Sequence, residues 1–582
     1  MMDSDTLSPN KLRLSQIELT RRTVMKSGAA GALLFGLSGN ALASPAASGF
    51  DPELFLLDRL TFGLNDDMLS EIQTRGYAGW LSWQLNPGAI NDDAAEAIVT
   101  DVEFGYPLWF DETTGLPNPA KMTNVLNKTP SELFLQYPGE TSGTTPVVMS
   151  ATAVMLRAAY SRRQLFYVMA DFWSNVHSTF LLQEGQHALW MPFQENVIYP
   201  HALGNYADMV KASAKHSSMM LYLNQYRSDK TSPIENYARE LMELHTLGLK
   251  DGVSVFDEID VEEVAKILTG WSMHSLDDIL EGYPNPDTYV CPAQTMGLNE
   301  YGNFVFKQEK HLFGQKTVLG KVYGANILPF PLPGCHGLSE GEDLIDDLVA
   351  RDETAEHMAT RMIEWFLMDA PPQPLIDRVA GAFKSSGSEI VPMIQELFDA
   401  TFMSEIHPSD NLKIRRPINY VVGALRASNP TIDMEELCSD NLMPNCIPGS
   451  SIWSGVKWIS SSVEIGQVPG GRPSPDGYPG KNGAYVGGLR ARLQFATELA
   501  HDLSLGLSID STKLDAIFGV ATPTNDLAEA ANLKVALGHL DVFDVRRVQT
   551  YINQLATSLS YDDLRRECFS MILSAPSYQY LH

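Results

Sequence analysis

The sequence predicts a mainly α protein, a large multi-helix globular body with long irregular loop insertions and little β. Three observations carry that prediction. Apolar residues recur at helical spacing along most of the chain, helix boundary signals bracket many of those stretches, and strand-like alternation is rare. The hydrophobic share, 44% of 582 residues, is enough to bury a large core. Residues 44–582 are expected to form a single mainly helical domain with loop insertions near 104–148, 275–338 and 430–487, and no repeat of fixed period interrupts it.

In chain order, the first segment is a leader. Thr20-Arg21-Arg22-Thr23-Val24-Met25-Lys26 precedes a mildly apolar run from Gly28 to Leu37, and Ala41-Leu42-Ala43 closes it. A positive n-region, a short apolar stretch and a small-x-small site make a signal peptide, with cleavage expected after Ala43. The run is too short and too rich in glycine to span a bilayer. The pair Arg21 and Arg22 points to the twin-arginine translocase as export partner, and so to a periplasmic or extracellular location. Removing residues 1–43 takes away five basic and three acidic side chains, so the formal charge moves from −29 to −31. Such an acidic surface repels phosphate and anionic lipid, which argues against nucleic acid as a partner and against peripheral membrane binding. No later stretch has eighteen uninterrupted apolar residues, so no stable membrane insertion is expected.

The helices follow. Asp51-Pro52 reads as an N-cap with proline at N1, and Leu54, Phe55, Leu57 and Leu60 lead to a stop at Gly63. Asn65 caps a second helix through Met68, Leu69 and Ile72 to Gly76, and Trp80, Leu81 and Leu85 begin a third. From Val147 to Phe180 the apolar spacing predicts long buried helices, broken near Ser161-Arg162-Arg163, as the centre of the core. Helical spacing returns at 205–223, 233–247, 261–269, 340–368, 374–402, 411–428, 489–505, 525–537, 543–558 and 561–573.

The chemistry-bearing stretch is Ser232 to Gly248. Ser232 reads as N-cap, Pro233 as N1, Glu235 as the N3 partner of a capping box, and Gly248 as terminator. At about 100° per residue, Asn236, Arg239, Glu240, Glu243 and Thr246 share one face, and Ile234, Tyr237, Ala238, Leu241, Met242 and Leu244 the other. Two readings of the polar face stand side by side. Glu235, Arg239 and Glu243 make a solvated ion-pair ladder, or Asn236, Glu240 and Glu243 face a cleft where two carboxylates one turn apart bind a divalent metal or share a proton. Distant histidines, His177, His201 or His311, complete the ligand set in the metal reading, while His245 lies on the apolar side as a core residue. Downstream, Asp260 and Glu263 read as a second capping box, with Ile259 and Val264 as its hydrophobic staple.

Five cysteines are too few for a disulfide scaffold. Cys291 with Cys335 and Cys438 with Cys446 are spaced to close in an oxidising compartment, and buried free thiols are the alternative. No G-x-S-x-G, phosphate loop or dinucleotide fingerprint is present.

The stretches Asp58-Arg59-Leu60-Thr61-Phe62-Gly63, Phe172-Trp173-Ser174-Asn175, His201-Ala202-Leu203-Gly204-Asn205, Met220 to Asn224, Glu235 to Gly248, Leu268-Thr269-Gly270-Trp271 and Leu573-Ser574-Ala575-Pro576 resemble the bacterial family catalogued as domain of unknown function 1800. The resemblance implies an exported, mostly helical protein, often encoded beside a second exported protein similar to sulfatase-like folds, which becomes a candidate partner. It implies no activity. The chain departs from the family in placing His177 one residue after the usual Phe-Trp-x-Asn-His position, and Ile234 where an asparagine is common.

Beside a carbohydrate-active enzyme that uses a carboxylate pair without metal, two functions are carried forward. One is a metal-assisted periplasmic enzyme with Glu240 and Glu243 as ligands or general base and Asn236 orienting them. The other is a non-catalytic exported scaffold that binds another secreted protein or a surface polymer.

Overall fold

The Asp51 carboxylate accepts from the backbone N–H groups of Glu53 and Leu54 at 2.9 and 3.2 Å. It fills two of the donors that the first helical turn leaves unpaired, and Pro52 costs nothing there because its missing N–H would be another. So begins a chain of helices in a computed structural model that describes residues 51–104, 120–137, 140–250, 252–275, 300–324, 336–399, 413–432, 465–503, 507–536 and 538–581. The leader with Arg21, Arg22 and Ala43 lies outside the described residues, as do Cys291, Cys335, Cys438 and Cys446. Cys568 is a free, fully buried thiol.

The first six helices are α1 (Pro52–Leu60), α2 (Asp66–Gln84), α3 (Asp93–Asp101), α4 (Pro130–Gln136), α5 (Glu140–Tyr160) and α6 (Gln164–Val176). After a stretch of short turns come α7 (Tyr206–Lys215), α8 (Ser217–Tyr222), α9 (Glu235–Glu243) and α10 (Glu258–Ile267). The second half holds α11 (His336–Val349), α12 (Asp352–Phe366), α13 (Gln373–Ser385), α14 (Ile390–Leu397), α15 (Pro417–Ser428), α16 (Leu489–Ala500), α17 (Ser511–Phe518), α18 (Leu527–Ala536), α19 (Val542–Leu555) and α20 (Tyr561–Ser574). Strands among the described residues form only two-stranded antiparallel pairs, such as β1 (Trp271–Met273) with β2 (Phe304–Phe306) and β3 (Lys413–Ile414) with β4 (Tyr580–Leu581). The protein is mainly α, as its periodicity predicts. No helix among the described residues is long and apolar enough to cross a membrane.

Residues 147–180 do form the middle of the core. Phe172 on α6 packs its ring 4.7 Å from Trp173, 5.6 Å from Trp365 and 5.8 Å from Phe366, tying α6 to α12. The turn after α1 runs close against α15, where a Cβ on Gly63 would lie 2.5 Å from the Gly423 Cα. Glycine at both positions lets two backbones touch.

Several expectations are corrected. Within the predicted loop at 104–148, Thr129-Pro130-Ser131-Glu132 forms a reciprocal capping box for α4, with Thr129 N donating to Glu132 Oε2 at 2.8 Å and Glu132 N to Thr129 Oγ1 at 3.2 Å. Helix α5 then starts at Glu140, before the Val147 expected from spacing. The Pro/Gly/Thr composition masked a local helix signal there. The predicted loops at 275–338 and 430–487 likewise contain strand pairs, 3₁₀ turns and the start of α11. Gly76 does end the helix that Asn65 caps: its φ of +67° and ψ of 173° are not helical, and α2 is two helices that meet there.

The second capping box is shifted too. Asp257, not Asp260, caps α10, and Asp260 is its N3 partner, accepting from Asp257 N at 3.2 Å. Ile259 is exposed, so no hydrophobic staple forms there. Glu263 receives Lys266 Nζ at 2.7 Å and Thr317 N at 3.0 Å, a structural role.

Candidate functional site

Helix α9 starts two residues later than its sequence signals suggest. The Asp229 carboxylate takes the Thr231 and Ser232 N–H groups at 2.8 and 3.1 Å, and Ser232 N also donates to Asp229 O at 3.0 Å. That Asx-type turn captures Ser232, the residue predicted as N-cap. Ile234 becomes the N-cap, with no side-chain bond to the helix, and the Ser232–Glu235 capping box does not form. Past that point the spacing prevails. Tyr237, Ala238, Leu241 and Met242 are buried. Gly248, at φ +72°, turns the chain away, and a Cβ there would strike the His357 ring at 2.3 Å.

The opposite face divides. Arg239 leaves the predicted ladder, donating twice to Glu258 at 3.0 and 2.6 Å and approaching Glu235 only at 3.8 Å. Asn236 Nδ2 donates to Leu223 O at 3.3 Å, pinning α9 to the end of α8 and leaving no bond to orient Glu240. The Glu240 and Glu243 carboxylates have no hydrogen-bond or ion-pair partner within bonding distance among the described residues. Glu240 is half-buried. Burial, then the adjacent Glu243 and finally Asp476 push its carboxyl up to about 7, against the opposing pull of Arg239.

Asp476 arrives on a strap, residues 465–480, that crosses from α6 to α8. Asn175, the last residue of the Phe-Trp-Ser-Asn stretch, holds it: Asn175 Nδ2 donates to Tyr478 O at 2.9 Å and Tyr478 N to Asn175 Oδ1 at 2.6 Å. At the far side Tyr222 donates to Pro473 O at 2.8 Å. The Tyr222 hydroxyl is pushed up to about 12 by burial, then by Glu240 and Asp476, with Arg472 opposing. Tyr222, Glu240, Asp476 and Arg472 therefore share one electrostatic neighbourhood. Replacing Asn175 with alanine removes both bonds to the strap, and amide exchange at Tyr478 is expected to accelerate by more than tenfold while α6 keeps its protection. Unchanged exchange at Tyr478 would show that other contacts hold the strap.

The raised Glu240 carboxyl has a stability consequence of definite sign. A carboxyl that holds its proton more tightly folded than unfolded costs stability as pH climbs from about 4.5 through about 7. Discounted for its solvent-facing half, the penalty is about 1–2 kcal/mol. Glu240→Gln is expected to match the wild type near pH 4.5 and to exceed it by that amount at pH 8, read from urea unfolding at the two pH values.

The predicted histidine ligands do not converge on these carboxylates. Among the described residues no group of three or more His, Cys, Asp or Glu side chains is placed to hold a metal ion. His201 bonds Val197 O through Nδ1 at 2.7 Å. His311 is enclosed, its Nδ1 2.8 Å from Thr269 O and its Nε2 3.1 Å from Glu340 Oε2. His177 caps the C-terminus of α6 through its backbone, and its buried ring lies 4.6 Å from that of His245 with neither nitrogen hydrogen-bonded. Burial, chiefly, holds His177 well below the usual imidazole range and lowers His245 to about 3, so both rings are neutral. His245 is the core residue its place on the apolar face predicts.

Sequence reasoning missed Asp476, Tyr222 and the strap, because only the fold brings 476 beside 240. Residues 55–580 match the family described as Protein of unknown function (DUF1800), and the chain belongs to that family. No curated protein and no solved structure matches it.

Proposed function

We propose that the protein is exported through the twin-arginine translocase and works outside the cytoplasm as an enzyme that transfers protons through Glu240. Export is supported by the sequence around Arg21, Arg22 and Ala43. The observation that carries the chemistry is the Glu240 carboxyl itself: half-buried, without a bonded partner among the described residues, and raised by Glu243 and Asp476 against the pull of Arg239. A carboxyl poised near 7 is divided between acid and base at neutral pH, which is what general acid–base catalysis needs. Glu243, one turn away, raises that poise by like-charge repulsion. Tyr222 stands close enough to feel the Glu240 charge, and Arg472 acts on Tyr222 in turn.

Infrared difference spectra between the wild type and Glu240→Gln are expected to show a carboxyl band titrating near pH 7. A band titrating below pH 5 would end the proposal. Against any substrate found by screening hydrolase and lyase reactions, Glu240→Gln is expected to lower kcat by about 10²–10⁴-fold, the usual share of a general acid or base. Elemental analysis beside a Glu240→Gln/Glu243→Gln double variant tests the metal-assisted form: about one divalent ion per chain, lost in the variant, would make the carboxylates ligands.

A further inference from the structure

We propose that the cleft between α6, the π-helix Gln194–Ile198 and the strap is a binding site for one neutral, polyhydroxylated ring, a single sugar unit. The inference goes beyond the Glu240 chemistry and stands without it.

The cleft opens to solvent at its mouth. Buried polar atoms without partners converge on it. Gln194 Nε2, Gln467 Oε1 and Arg472 Nε all line the cleft and make no hydrogen bond, and Gln194 and Gln467 are only 2% and 3% exposed. Each such atom costs folding free energy unless something satisfies it. Folded proteins leave few. Gln194 is the first residue of a π-helical turn, an uncommon geometry that recurs at functional sites. The strap backbone is pressed onto the cleft at Gly470, φ +66°, where a Cβ would sit 2.7 Å from the Trp190 ring.

The chemistry of the lining selects the ligand. Gln194 and Arg472 offer donors and Gln467 an acceptor. Asp171, also in the lining, gives one carboxylate oxygen to Arg416 at 3.0 Å and so enters as a neutralised pair. Arg472 in turn approaches Asp476 at 3.8 Å, so both charges of the lining already have partners. A neutral group that both donates and accepts satisfies every atom. Tyr167 and Tyr199, edge to face at 5.8 Å, add an aromatic wall for the C–H face of a ring. A ring enters from the open mouth with its hydroxyl-bearing edge toward Gln194 and Gln467, so the ligand is a free monosaccharide or the terminal unit of a glycan.

Saturation-transfer difference NMR on the full chain with D-glucose, D-galactose, D-mannose and N-acetylglucosamine tests this. Transfer to at least one of the four is expected, weakened at least tenfold in Gln467→Leu and in Gln194→Leu, each checked for folding by circular dichroism. No transfer to any of the four in the wild-type protein would overturn the proposal and leave the cleft to ordered water. Undiminished transfer in both folded variants would overturn it equally, by placing the sugar elsewhere. Neither result depends on how Glu240 titrates.

Discussion

Asp58→Ala is expected to cost about 3–5 kcal/mol of folding free energy, the loss seen when one member of a buried ion pair is removed. Asp58 and Arg415 meet at 2.9 Å with side chains 5% and 3% exposed. Arg415 also donates from Nε to Tyr578 O at 3.0 Å, and its guanidinium lies 4.8 Å from the Tyr578 ring centroid. Its backbone carbonyl accepts from Arg492 at 2.6 Å. A second buried cation, Arg59, bonds Phe366 O at 2.9 Å, and burial lowers it to about 10 despite the help of Asp58. Without Asp58, both guanidiniums lose the buried carboxylate that they share. Because this junction joins α1 to β3 and β4, its loss should lower the midpoint of unfolding in guanidinium for the whole molecule. The double change Asp58→Ala/Arg415→Met is expected to be less damaging than Asp58→Ala alone, since it also removes the unpaired charge. A loss below about 1 kcal/mol for Asp58→Ala would mean that water reaches Arg415.

A loss of similar size, about 3–5 kcal/mol, is expected for Glu340→Gln. Glu340 accepts from Lys316 Nζ at 3.0 and 2.9 Å and faces His311 Nε2 at 3.1 Å, and all three side chains are 2% exposed or less. Burial already lowers the Lys316 ammonium, with Glu340 opposing that shift. Removing the carboxylate leaves only the weaker pull of Glu263 against burial, so the folded form of the variant binds fewer protons than the unfolded form. Its stability should then rise with pH toward the lysine range. Unfolding of Glu340→Gln at pH 7 and pH 9.5 should show recovery at the higher value relative to wild type. A flat difference would mean that Lys316 finds another partner. The same geometry explains why His311 makes a poor metal ligand: both of its ring nitrogens already face protein oxygens.

What could be read ahead of the structure was whatever depends on neighbours in the chain. The caps at Asp51 and Asn65, the buried stripe of α9 and the break between α5 and α6 follow from three- and four-residue spacing, and the helical class follows from them. Even locally, competition mattered. Asp229 captured Ser232, and Asp257 displaced Asp260, because two capping residues lay within reach of one helix start.

The candidate site was legible only in half. Glu240 and Glu243 are one turn apart on any α9, so their pairing needs no tertiary information. Their separation from His177, His201 and His311, the arrival of Asp476, and the meeting of Gln194, Gln467 and Arg472 around one cleft join segments tens to hundreds of residues apart. By itself, the sequence determined the helices, their buried faces and the carboxylate pair, because those obey local geometry. Only the tertiary structure decided what faces them, since which distant side chains share a desolvated space depends on how the whole core packs.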